Sequence, residues 1–363
     1  MKMAKRTSYT SVAANGIWHF ALCLMLAALL LPNAAAADYS NAAIEQIGSS
    51  NNAAIEQTQT LDAFAAVQQE GTSNITRIQQ GSISEAGDQS FRATVDVRGD
   101  QNVVDLLQRD AFQTADVVQE GSSNIISIEQ IEEATTLNVL QSGVSQVLQV
   151  QQNRLANATI TQQGADSVLL IEQGGRDNTM TIGQYGNRNF AQISQSSYSN
   201  QLSMLQEGDD NAAAVVQSGT DGVADIRQLT SGAKVTLFQT NAQGTATITQ
   251  SHAGNSQLST TLEQSGAEAT ATINQSGSHN NIQATQSGFK NDLSVSQDGE
   301  FSDVRVLQTG NNTQLNVMQG ESSSAEQRNT ISVMQSADNV NVTVGSVGRN
   351  YGNKAKHVTV RQE

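Results

Sequence analysis

Polar and apolar residues alternate along this chain. Counting back from Gln173 in steps of two gives Ile171, Leu169 and Ser167. From Gln195 the same steps give Ile193, Ala191 and Asn189, and from Gln297 they give Val295, Leu293 and Asn291. The intervening positions carry the charges, among them Glu45, Glu56, Asp105, Asp116, Glu129, Glu172, Asp225 and Arg305. Successive side chains of a strand point to opposite faces, so this pattern predicts half-buried strands of about seven residues. The inward face of each reads Asn or Ser, a small apolar residue, Ile, Val or Leu, and then Gln.

The strands recur with a period of eleven. Asn41-Ala-Ala-Ile-Glu-Gln46 is repeated as Asn52-Ala-Ala-Ile-Glu-Gln57, and Gln69 and Gln80 follow in the same phase as one another. One long run holds Gln108, Gln119, Gln130, Gln141 and Gln152. A second runs from Gln162 through Gln173, Gln184, Gln195, Gln206, Gln217, Gln228 and Gln239 to Gln250, and a third from Gln264 to Gln319. Gln335 and Gln362 continue the pattern, and Val97 and Ser346 stand where Gln is expected, making about 28 units. Such self-similarity is the mark of a repeat architecture. Glycine sits two residues after many of the glutamines, as Gly48, Gly71, Gly121 and Gly186 do, where a tight reversal calls for positive φ.

Strand, turn, strand, turn makes a coil of about 22 residues, with each strand lying roughly 4.8 Å from its equivalent one coil later. The fold class is therefore all-β: a β-solenoid of stacked strand–turn–strand coils with cross-β geometry. Stacking in register places Gln46 near Gln69 and Gln162 near Gln184, so that buried amides bond along the column as Asn/Gln ladders. Proline fits none of the strands, since it lacks the N–H that a ladder needs. A turn site such as Asp177 is expected to accept proline better than a strand site such as Leu169. Insertions near 81–90, 251–257 and 320–328 read as loops between rungs.

Composition sharpens this picture. Of 363 residues only 4% are aromatic and 15% charged, and Pro32 is the one proline. Lys2, Lys5 and Arg6, then the apolar run Phe20 to Leu31, then Ala35 and Ala37 as an Ala-x-Ala site, predict a secretory signal over residues 1–37, cleaved before Asp38. Cleavage would also remove Cys23, Trp18 and Pro32 and leave 16 basic against 34 acidic residues, a net charge of −18. An acidic chain without cysteine excludes thiol chemistry and argues against nucleic acid as a partner. No catalytic, cofactor or metal site is expected. His252, His279 and His357 lie far apart, Gly208-Asp209-Asp210-Asn211 lacks the calcium β-roll pattern, and Glu132 and Glu133 read as surface charge.

The first repeat, Ser40-x5-Gln46-x-Gly48-x-x-Asn51-x-Ala53-x3-Gln57, resembles the curlin repeat of bacterial curli subunits at every defined position. The second, with Gln69, Gly71, Asn74, Thr76 and Gln80, is similar to it. The resemblance implies a functional amyloid: a secreted subunit of a cell-surface fibre serving adhesion and biofilm. Its implied partners are further copies of itself, a nucleating subunit and an outer-membrane secretion pore. It also implies that Ser40, Gln46, Asn51, Gln57, Gln69, Asn74 and Gln80 support assembly. Residues 38–348 then form the repeat array. Residues 349–363 form a basic segment completing the last coil, with Arg349, Lys354, Lys356, His357 and Arg361. Only Asp38 and Tyr39 would separate the leader from the first repeat, which leaves no room for the short secretion-directing segment usual in the family. The alternative function is a secreted, non-polymerising β-solenoid adhesin or ligand-binding surface.

Overall fold

The computed structural model describes residues 7–13, 39–58, 62–81, 90–240, 242–255, 257–320, 328–346 and 357–362. Among them every regular element is a β-strand, and there are 29. Two compact units divide the chain, Met1–Asp166 and Ser167–Glu363.

In the first unit β2 (Tyr39–Ser49), β4 (Asp62–Thr72), β6 (Ser90–Asp100), β8 (Gln113–Ser122), β10 (Thr136–Val144) and β12 (Asn157–Ala165) form one parallel sheet. A second parallel sheet consists of β3 (Asn52–Thr58), β5 (Ile75–Gly81), β7 (Val103–Arg109), β9 (Ile125–Ile131) and β11 (Val147–Asn153). Consecutive strands thus alternate between two sheets, as a solenoid requires. The second unit repeats the plan from β13 (Val168–Gln173) to β28 (Asn341–Ser346) and β29 (His357–Gln362). β1 (Thr7–Ala13) differs from all of these, lying antiparallel on β3 with Thr7 opposite Thr58. Residues 14–38, which contain the expected cleavage site, are outside the described residues.

Register follows the glutamines. Gln46 lies opposite Gln69, Gln173 opposite Gln195, and Gln184 opposite Gln206. The insertions leave this phase intact. Across 82–89, which are not described, Gln80 still pairs with Gln108. Across 321–327, likewise not described, Gln308 still pairs with Gln335. Between β18 (Val223–Ser231) and β20 (Thr245–Asn255) the extra residues appear as a register shift after Leu229, with Gln228 still opposite Gln250. A slip of one residue would turn every inward side chain to water, so the pairing resumes its phase beyond each insertion.

The core lies between the two sheets. Leu169, Ile171, Ala191, Ile193, Val235, Leu237, Leu293 and Val295 are all buried, as are Ser167, Asn189 and Asn291 at the mouths of their strands. Burying each of the larger aliphatic side chains contributes on the order of 1.5–3 kcal/mol. None of the charged residues predicted for the outward phase is buried.

The turns bend at two positions. Gly48, Gly71, Gly121 and Gly186 take φ of 112°, 122°, 109° and 111°, as the spacing predicts. Two residues later comes a second left-handed position that glycine seldom fills: Ser50, Ser73, Ser123, Asp177, Arg188, Asp210, His279, Lys290 and Phe301 all have φ between 51° and 60°, and Gly232 takes 73°. The turn backbone is also laddered from rung to rung. The N–H of Ser73 donates to Ser49 O at 2.9 Å, that of Ser123 to Asp100 O at 3.0 Å, and that of Asp221 to Tyr198 O at 3.0 Å. These facts overturn the expectation for Asp177. Proline is held near φ −65° and cannot adopt the 57° found there, so this turn site excludes it as firmly as the strands do.

Candidate functional site

The glutamine at the end of each strand faces inward and stacks on the glutamine of the next rung. Gln46 Nε2 donates to Gln69 Oε1 at 2.7 Å, Gln57 to Gln80 at 2.9 Å, and Gln80 to Gln108 at 2.8 Å. Gln141 donates to Gln162 at 2.7 Å. In the second unit Gln173 donates to Gln195 at 2.9 Å, Gln184 to Gln206 at 2.8 Å, Gln195 to Gln217 at 3.0 Å and Gln206 to Gln228 at 2.7 Å. In each of these bonds the earlier residue donates and the later one accepts, so the ladders have a direction. All of these glutamines are buried except Gln46, which is half-buried in the first rung.

The second amide hydrogen does separate work. Gln57 Nε2 also donates to Asn41 O at 3.2 Å, Gln80 to Phe64 O at 3.0 Å, and Gln206 to Phe190 O at 3.2 Å. Each acceptor is a carbonyl of the preceding strand, in the opposite sheet. One side chain therefore bonds along the stack and across it, a double duty that leucine of similar volume cannot perform.

Where the glutamine is replaced, the ladder breaks. Val97 lies opposite Gln69 on one side and Gln119 on the other. Gln69 Nε2 turns to Thr76 Oγ1 at 2.7 Å, while Gln119 Oε1 finds no donor among the described residues. Ser346 lies opposite Gln319, whose Nε2 likewise has no acceptor among them.

Asparagine works differently from the expected amide stack. Asn51 Nδ2 donates to Ile47 O in its own turn and to Gly71 O in the next, both at 3.0 Å. Its Oδ1 accepts the backbone N–H of Asn74 at 3.0 Å. Asn74 repeats this with Gly99 O at 2.6 Å and the N–H of Asn102 at 3.0 Å. Asparagine thus ties turn to turn through the backbone. Ser40 is exposed in the first rung, in register with buried Ala63.

The turn glycines have a second reason to be glycine. A Cβ on Gly48 would lie 2.0 Å from Gly71 O, one on Gly121 1.9 Å from Gly143 O, and one on Gly186 2.1 Å from Gly208 O. Gly266, outside the left-handed region, would place its Cβ 1.8 Å from Gly288 O. Close stacking, beyond φ alone, favours glycine in this column, although Ser197, Thr230 and Ala337 also stand in it.

Charges on the outer faces pair between rungs. Arg77 meets Asp105 at 3.1 Å, Arg98 meets Glu120 at 3.0 Å, and Arg188 meets Asp210 at 2.7 Å. The hydrogen bond from Arg188 holds the Asp210 carboxyl below its ordinary value. The neighbouring Asp209 accepts the backbone N–H of Asn187 at 2.8 Å, so this acidic turn is occupied in joining rungs. His279 stacks on Phe301 of the following rung at 4.6 Å. Among the described residues no group of three or more His, Cys, Asp or Glu stands close enough to hold a metal ion.

No family model and no curated protein matches this chain. The likeness to the curlin repeat therefore rests on the repeat residues themselves. Within each unit these backbone and amide bonds hold successive rungs to one another.

Proposed function

We propose that the mature chain is the structural subunit of an extracellular, curli-like amyloid fibre that serves adhesion and biofilm matrix. One observation supports this reading above the rest. Within the first unit parallel, in-register pairing reaches back to β2 and β3, with only β1 lying antiparallel on β3, and within the second it runs on to β28 and β29. The described residues place no helix over those edges, and the one strand that covers the edge of β3, β1, belongs to the segment 1–37 expected to be removed. Soluble solenoids close such edges with divergent capping repeats, because an unpaired row of N–H and C=O groups is a template for another chain. Here the first rung of the array is nearly a perfect repeat.

The reading makes the protein a structural component and not an enzyme. Its expected partners are copies of itself, with a nucleating subunit and an outer-membrane pore as the resemblance implies. The test is direct. Purified chain from Asp38 onward, incubated at neutral pH, should form unbranched fibres by electron microscopy and raise thioflavin fluorescence. A chain that stays monomeric at high concentration would favour the non-polymerising adhesin.

A further inference from the structure

Resting on the fibre reading, the geometry points to a specific junction: β29 of one copy pairs in parallel with β3 of a second copy, with Arg361 set beside Glu56. Three observations carry it.

The first is charge. From Asn341 to Glu363 the chain has four basic residues, Arg349, Lys354, Lys356 and Arg361, against one acidic residue, Glu363. From Tyr39 to Thr58 it has two acidic residues, Glu45 and Glu56, and no basic one. The rest of the chain is acidic, so these two segments are the complementary pair. Two N-terminal rungs brought together would repel, and so would two C-terminal rungs.

The second is register. The odd sheet ends on β29, and its next rung in a continuing stack is an odd strand, β3, while β28 meets β2. Setting Gln362 over Gln57 places Val360 on Ile55, Val358 on Ala53 and Thr359 beside Ala54. In the other sheet Val344 meets Ile44 and Val342 meets Ala42. Apolar side chains meet apolar ones on the inner face of both strands. Val358 and Val360 are half-buried in β29, as Ile44 is in β2, in contrast to their buried equivalents in inner rungs such as Val67 and Val333.

The third is direction. The glutamine ladder donates from earlier to later rung, so Gln362 Nε2 over Gln57 Oε1 continues it without reversal. A head-to-head contact would reverse the donor order. In the full chain β1 occupies the edge of β3 that this junction uses. Removal of residues 1–37 opens that edge.

The absence of cysteine from the chain after residue 37 allows a clean test. Ala54→Cys and Thr359→Cys are prepared as separate mature chains, mixed, assembled and oxidised. Adjacent strands set Cα atoms about 4.8 Å apart, within disulfide reach. A covalent heterodimer is expected in the mixed fibres, and none from either chain alone. In parallel, Glu56→Arg or Arg361→Glu should slow elongation of unmodified seeds roughly fivefold, the scale of one exposed ion pair. Chains carrying both changes should elongate on one another at close to the original rate. Fibres that form but yield Ala54→Cys homodimers, or no heterodimer, overturn the junction and leave the fibre reading standing. Absence of any fibre overturns both.

Discussion

Glutamine at the strand end is the residue on which this structure turns, because its amide satisfies two needs at once. Replacing Gln108 by leucine would remove an acceptor from Gln80 and the donor to Gln130, and the bond to Arg92 O. Leaving such buried groups unpaired costs on the order of 1–3 kcal/mol each, so Gln108→Leu should lower unfolding free energy by about 2 kcal/mol or more. The reverse change fills a natural gap. Val97→Gln supplies a donor to Gln119 Oε1 and should stabilise by about 1 kcal/mol, read as a higher denaturant midpoint with unchanged slope. Glycine gives the other residue-scale test. Gly121→Ala puts a Cβ 1.9 Å from Gly143 O at a φ of 109°, and should cost at least about 1–2 kcal/mol. Sequence reading recovered the glutamine ladder because one residue type holds one phase across the array. It missed the cross-sheet bond and the left-handed site four residues after each glutamine. Residue types as different as Ser, Asp, Asn, Gln, Glu, Arg, His, Lys, Phe and Gly fill that site, so no single residue type marks it. The asparagine that follows it, Asn51, Asn74, Asn102 or Asn124, is the one available hint, since its side chain pins the turn on which the left-handed residue sits.

At the level of the element, strand and turn turn out to be more alike than their sequences suggest. Alternation made the strands legible, as between Ala63, Ala65 and Val67 inward and Phe64 and Ala66 outward. Turns read as free connections because their side chains vary, yet their backbones pair from rung to rung like the strands. Proline is therefore the discriminating probe. Leu169→Pro and Asp177→Pro should both abolish cooperative folding of the second unit, by circular dichroism and hydrogen exchange. A normal melting curve for Asp177→Pro would contradict the left-handed turn. The insertions were legible as interruptions, and the kept register of Gln80 on Gln108 and Gln308 on Gln335 follows from the same facing rule that shaped the strands.

For the whole molecule the decisive quantity is charge. The chain carries a net charge of −15, and −18 is expected once residues 1–37 are removed; this charge opposes bringing copies together across a Debye length of about 10 Å at 0.1 M salt. Fibre lag times should shorten when salt is raised at neutral pH, or when the pH falls to about 4–5 and carboxylates begin to take up protons. The carboxyl of the Arg188–Asp210 pair is held below the ordinary value of 3.8, so the pair contributes stability above that value and loses it as pH falls through the lowered pKa. That pair therefore remains intact at pH 4–5. Lag times unchanged by both salt and acid would rule out an electrostatic restraint. The central claim, that copies continue one another's sheets along the solenoid axis, is tested most directly by X-ray diffraction from aligned assemblies of the mature chain. The account predicts a sharp reflection at about 4.7–4.8 Å on the meridian, the spacing of stacked strands along the fibre. Assemblies lacking it, or showing it on the equator, would contradict end-to-end growth.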